Sequence, residues 1–211
     1  MRFLEITVVF LSVALLMNIS ISKFRRKGTS PLILMAILTT LLHLFIEGYR
    51  WQMVPSYLLL GLITLIRNKE SQKTATVVMS IIWTFSVLLP ATVPVVKLPK
   101  PTGPFSIGTA IFDWTDTTRT EWFTKKPDDF RKIMIQLWYP AKNNPGNKVS
   151  PYIDHIDLRA QAIGDRVGLP SFMLDHLHLV KTHSLIDASP IDSKELFPLI
   201  IFSHGLGGMR N

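Results

Sequence analysis

Apolar residues fill the first hundred positions in four runs, separated by polar or charged clusters. The runs are residues 3–22, 31–46, 51–66 and 76–96. A helix rises about 1.5 Å per residue and the hydrocarbon core of a bilayer is about 30 Å thick, so crossing it takes about 20 apolar residues. The first and fourth runs have that length. The second and third hold 16 residues each, which predicts either short spans in a thinned bilayer or a re-entrant hairpin turning at residues 47–52. Both arrangements return the chain to the same side. Pro90 and Pro94 are expected to kink or end the fourth helix.

The pattern changes after residue 97. KLPKPTGPF places three prolines in nine residues, which predicts a stiff, extended linker at residues 98–104. Residues 105–114 (FSIGTAIFDW) read as a strand, and TDTTRTEWFTKKPDDF as a polar, turn-rich stretch. Residues 131–139 (RKIMIQLWY) alternate, with Ile133, Ile135 and Leu137 on one face and Met134, Gln136 and Trp138 on the other. Short helices are expected at residues 157–167 and 171–179, the second with Ser171 as its N-cap. Residues 197–203 (FPLIIFS) are almost wholly apolar, as in a strand buried on both faces of a parallel sheet. That run ends in His204-Gly205-Leu206-Gly207-Gly208.

Charge supplies an orientation. Residues 1–100 hold 11 Lys/Arg against 3 Asp/Glu, and residues 101–211 hold 12 of each, so the net +8 lies in the first half. Lys23, Arg25, Arg26 and Lys27 follow the first run, and Arg67, Lys69 and Lys73 follow the third; the loop between carries only Arg50. Positive loops stay cytoplasmic. The N-terminus and everything after residue 96 are therefore expected outside. Basic residues set between apolar runs do not make the solvent-facing surface that nucleic acid requires. A cleaved signal peptide would explain Arg2 and the first run, but not the other three, and no small-residue cleavage site precedes KFRRKG. The chain has no cysteine, which excludes disulfides, zinc–thiolate sites and a cysteine nucleophile.

His43 and Glu47 are one helical turn apart. A buried ionisable pair can mark a proton or ion path. The favoured reading is an interfacial pair, with Glu47 near Arg50 and the aromatic residues Tyr49 and Trp51 beside it. Asp175, His176 and His178 resemble metal ligands in composition only, since residues two apart on a helix face different ways; no metal is expected. Ser203 reads as a strand-end residue, and Asp113 and Asp187 as turn or cap residues.

The glycine turn carries the candidate chemistry. Acyl transfer puts negative charge on a carbonyl oxygen, which preorganised backbone N–H groups stabilise. Glycines let the main chain come close. The expected oxyanion donor is the N–H of Leu206, in a loop shaped by His204, Gly205, Gly207 and Gly208. No Gly-Lys-Ser/Thr follows, so this is not a phosphate-binding loop, and the spacing is not G-x-G-x-x-G.

The blocks PTGPFSIGT, RKIMIQLWYPA and FPLIIFSHGLGGMRN, in that order, resemble the platelet-activating factor acetylhydrolase family, the group that includes lipoprotein-associated phospholipase A2. The multi-span front end resembles its bacterial members. The resemblance implies an α-helical transmembrane region (residues 1–97) followed by an incomplete α/β-hydrolase domain (residues 105–211). It implies a carboxylic-ester hydrolase with a Ser-Asp-His triad, free of metal and cofactor, removing short or oxidised acyl groups from phospholipids. The expected partners are an ester substrate and the lipid bilayer. One departure is plain: no G-x-S-x-G occurs in the 211 residues. The triad is therefore expected beyond Asn211, and the chain alone is expected to be inactive. The alternatives are a small integral-membrane binding or transport unit with a degenerate soluble tail, and a non-functional gene fragment.

Overall fold

The computed structural model describes residues 1–20, 29–66, 73–126, 128–203 and 205. They form two compact units. The first joins Met1–Val96 to His155–Val180, and the second joins Lys97–Asp154 to Lys181–Asn211.

The apolar runs of the first unit become helices α1 (Phe3–Ser20), α2 (Thr29–Ile46), α3 (Val54–Ile66) and α4 (Lys73–Thr92), with a 3-10 turn at Trp51–Met53 leading into α3. Leu11, Leu15, Ile33, Leu59, Ile63 and Met79 pack into one core. The opposite faces are apolar too: Phe10, Leu38, Phe45, Leu65 and Phe85 are all exposed. Helices that are hydrophobic all round suit hydrocarbon rather than water. Three of them, Phe3–Ser20, Thr29–Ile46 and Thr74–Thr92, are long and apolar enough to cross a membrane, whereas Trp51–Ile66 is shorter. The second run gains Thr29 and Ser30 over its expected start and so reaches spanning length. Pro90 sits in the last turn of α4, which ends at Thr92, two residues before Pro94.

The remainder of this unit is α5 (Ile156–Val167) and a 3-10 segment, Ser171–Leu179. Gly168, with φ of 71°, closes α5 in the left-handed conformation that glycine adopts without strain. Ser171 is not an N-cap. Pro170 holds that position in an extended conformation with no side-chain cap bond, and Ser171 is the first residue inside the segment. Trp51 Nε1 donates to the Met173 carbonyl at 3.2 Å. Gly48 has φ of +79°, and a Cβ there would lie 2.9 Å from Leu179 Cδ2, so backbone and side chain meet with no room for a larger residue.

The second unit is a four-stranded sheet. Its strands are β1 (Ser106–Thr120), β2 (Phe130–Ala141), β3 (Val149–Pro151) and β4 (Lys181–Ile186), in the order β2-β1-β4-β3. β1 and β2 run antiparallel, with Ser106 opposite Ala141 and Asp116 opposite Arg131. β4 lies parallel to β1, with Ile107 opposite Ser184, and β3 is antiparallel to β4. The hairpin is longer than the sequence suggested. TDTTRT belongs to β1, and Asp113 is a mid-strand residue rather than a turn or cap, because β2 supplies ladder partners through Asp116 and, after an irregularity, at Thr120. Asp187 does occupy a turn, with φ of 47°.

FPLIIFS does not form a strand. Leu199, Ile200, Ile201 and Phe202 are each at least 80% exposed. A strand exists only through its ladder partners, and among the described residues FPLIIFS pairs with none of β1 to β4.

Candidate functional site

The glycine turn that should carry the oxyanion chemistry follows this extended segment. His204, Leu206, Gly207 and Gly208 lie outside the described residues. Gly205 is described, and a Cβ built on it would meet no described atom within 4 Å. Ser203 is exposed.

A second constellation of reactive side chains is fully described, in the first unit. It gathers where α1 begins, α2 ends, α3 is entered and α4 ends. Arg2 Nε donates to Glu5 Oε1 at 2.8 Å, and the Arg2 guanidinium also reaches the Glu47 and Gly48 carbonyls. Leu4 N–H donates to Glu47 Oε1 at 3.0 Å, so a carboxylate in the turn just after α2 satisfies a free amide at the start of α1. Arg50 Nε lies 2.6 Å from Glu5 Oε1, with neither side chain exposed. Arg50 Nη1 donates to the Val93 carbonyl at 2.9 Å and Nη2 to the Pro90 carbonyl at 3.3 Å. A cation thus closes the carbonyl end of α4.

The same centre answers the question of His43 and Glu47. His43 is wholly buried, with Nδ1 3.0 Å from Glu47 Oε2 and Nε2 2.9 Å from the Tyr57 hydroxyl. A carboxylate only accepts, so Nδ1 carries the proton toward Glu47, and Nε2 accepts from Tyr57. Arg50 pairs with Glu5, and Glu47 faces Arg2 at 3.7 Å. Sequence reasoning missed Arg2, Glu5 and Tyr57 as members of this centre. The available signal was a lone glutamate inside an apolar run, three residues after an arginine.

Ligand atoms of Glu5, His43 and Glu47 lie within 4.8 Å of one another. The donor set does not fit a cation. Two guanidiniums already balance the two carboxylates, and His43 holds Glu47 and Tyr57. Buried charge of this kind requires close pairing, and a divalent ion would leave uncompensated positive charge. The arrangement is a clasp that ties four helix ends together.

Asp175, His176 and His178 stand on the 3-10 segment. His176 and His178 each bond through Nδ1 to a backbone carbonyl, of Met173 and Asp175 respectively. Burial holds His176 below the usual imidazole range, against an opposing pull from its hydrogen bond to Met173.

Comparisons with known proteins bear on the second half. The family model described as "Platelet-activating factor acetylhydrolase, isoform II" matches residues 91–211. The platelet-activating factor acetylhydrolase of Cavia porcellus is 29% identical over 119 residues, which cover 54% of this chain and 24% of that protein. The chain therefore spans about a quarter of the length of that curated relative. Among solved structures, a ferulic acid esterase from Streptomyces cinnamoneus aligns with a TM-score of 0.34 and 23% identity, over 47% of this chain and 26% of that one. The family match takes in more than half of the chain, including all four strands and the glycine turn, and on that basis the chain belongs to the platelet-activating factor acetylhydrolase, isoform II, family.

Proposed function

We propose that this chain is the membrane-anchored N-terminal portion of a metal-free carboxylic-ester hydrolase acting on phospholipid-like esters with short acyl groups. Residues 105–211 would open an α/β-hydrolase domain, and residues 98–104 would link it to the membrane region. The observation that carries the reading is the family match, which runs from residue 91 through the glycine turn.

The chemistry assigned to this chain is electrostatic. When a hydroxyl adds to an ester carbonyl, the carbonyl oxygen becomes an oxyanion. The N–H of Leu206 would donate to it, together with the amide that follows the nucleophile in this kind of hydrolase. Gly205, Gly207 and Gly208 would give the backbone its close approach, and His204 would brace the loop. The 211 residues contain no G-x-S-x-G, so on their own they would lack the nucleophile.

The membrane placement rests on the apolar outer faces of the helices and on the basic residues that follow α1 and α3 in the sequence. By the positive-inside rule the start of α1 and the residues after Val96 would lie on the extracytoplasmic side. The buried charges favour an anchor over a transport unit, because the clasp ties each of its charged groups to a partner within the protein.

The test is turnover of a short-chain acyl ester. The 211 residues alone should show none. The same residues joined to the C-terminal portion of a family member, carrying the nucleophile, acid and histidine, should be active. Leu206→Pro in the joined protein removes one donor and should lower kcat about 10²–10³-fold. Turnover by the 211 residues alone would overturn the division of labour, and an undiminished Leu206→Pro enzyme would overturn the oxyanion assignment.

A further inference from the structure

Beyond Thr109, β1 pairs with β2 alone among the described residues, because β4 reaches only Ile107–Thr109. The rest of the hairpin, out to Thr120 and back, is a two-stranded ribbon about 30 Å long. Two strands by themselves are marginal in water, so a ribbon of this length calls for a further surface to rest on.

Its tip is built by internal bonds. Glu121 N–H donates to the Asp129 carbonyl at 2.8 Å and closes the neck. The Glu121 carboxylate accepts from the Trp122 N–H at 2.8 Å and the Phe123 N–H at 3.4 Å. Trp122 and Phe123 then stand outward, 87% and 95% exposed. An adjacent aromatic pair held this far into solvent forgoes the burial that its area would reward. The boundary between water and hydrocarbon is a depth that aromatic side chains favour. A loop that enters it must have its amides paired, and the amides of both aromatic residues already are.

Charge selects the surface. Residues 119–132 hold five Lys/Arg against three Asp/Glu. Arg119 is met by Asp116, and Glu121 is turned onto the two amides. Lys125 and Lys126 follow the aromatic pair, exposed and with no acidic partner among the described residues. An apolar groove on a protein would bury the aromatic rings but strip water from these ammonium groups without pairing them. A phospholipid surface accepts both: the rings go below the headgroups, and the long lysine stems reach the phosphates.

We propose that the tip of the β1–β2 hairpin is a membrane contact in its own right, with Trp122 and Phe123 inserted at the lipid–water boundary and Lys125 and Lys126 on lipid phosphates. The inference stands apart from the ester-hydrolase reading and rests only on the part of the proposed function in which the apolar helices hold the chain at a bilayer.

The experiment uses the full chain in liposomes of phosphatidylcholine and phosphatidylglycerol. The chain has no cysteine, so Thr124→Cys carries a single environment-sensitive fluorophore at the tip. Its emission should shift to the blue, be quenched by lipids brominated on the acyl chain, and be shielded from aqueous iodide. The same fluorophore at Asn144→Cys, in the loop after β2, should show the opposite pattern. Trp122→Ser combined with Phe123→Ser changes only exposed side chains, and should abolish the bromolipid quenching at Thr124→Cys while the circular dichroism is kept. Lys125→Gln combined with Lys126→Gln should lower that quenching, and undiminished quenching would overturn the phosphate contact. A probe at Phe10→Cys on the exposed face of α1 reports the anchor separately. If it is quenched by bromolipid while the tip probe is open to iodide or closed to both quenchers, the hairpin contact is overturned and the anchor stands. Tip quenching that survives loss of both aromatic residues also overturns the contact. An unquenched Phe10→Cys probe overturns the anchor and the hairpin contact together.

Discussion

Arg50 and Glu5 carry opposite charges with no exposed side-chain surface, 2.6 Å apart. Removing one partner leaves the other charge buried and alone, which costs about 3–5 kcal/mol, whereas replacing both by apolar residues of similar volume is close to neutral. Arg50→Met and Glu5→Leu should each lower the thermal midpoint in detergent, and the double variant should recover most of the loss. Strictly additive losses would contradict the pairing. The sequence displayed both residues but not their relation, since the partners are 45 positions apart and proximity of that range is set by helix packing alone. His176 gives a pH signature at the same scale. Its ordinary value is 6.5 and burial lowers it, so between the two values the undocked segment binds more protons than the docked one. Docking of Ser171–Leu179 should therefore be strongest above pH 6.5 and weaken as the pH falls toward the lowered value. Hydrogen exchange of that segment, corrected for intrinsic rates, should accelerate between pH 7.5 and 5.5, and His176→Gln should abolish the dependence. Unchanged protection in the parent protein would contradict it.

Among the elements, those with a long periodic signal were legible. The four apolar runs became helices, and alternation in RKIMIQLWY gave β2. β4 was not foreseen because KTHSLI is six residues long and mostly polar, and it is held in the sheet by its parallel pairing to β1. FPLIIFS shows the converse. Its composition suits a buried strand, yet composition cannot supply a neighbour. The hairpin contains a more local constraint. Gly108 lies opposite Tyr139, whose ring covers it so closely that a Cβ would be 2.5 Å from Cε2 and 2.9 Å from Ala141 Cβ. The Tyr139 hydroxyl donates to the Ala188 carbonyl at 2.8 Å, and burial raises its pKa. Gly108→Val should push the ring away, break that bond and cost about 1–3 kcal/mol by overpacking. Denaturant unfolding monitored through the sheet should register the loss, and an unchanged midpoint would contradict the close fit.

For the molecule as a whole, the sequence showed where membrane-like and soluble-like composition divide, but not that the chain returns. Residues His155–Val180 leave the sheet unit and pack with the helices. No apolar run marks that return, because the contacts are few and specific, such as Trp51 to Met173 and Gly48 against Leu179. Leu206 was named as the oxyanion donor from its motif alone, and the geometry of its turn lies outside the described residues. The absence of cysteine makes orientation simple to measure, since each introduced thiol is the sole target. A thiol at Asn144 should react with a membrane-impermeant maleimide in intact cells, and one at Lys69 only after permeabilisation; the reverse pattern would invert the assigned topology. The ester-hydrolase reading is probed most directly at the Leu206 amide. With the chain joined to a family member's C-terminal portion and a trifluoromethyl ketone bound as a tetrahedral adduct, the amide proton of Leu206 should move strongly downfield in NMR as it donates to the oxyanion. An adduct that forms while that proton stays in place would contradict the assignment.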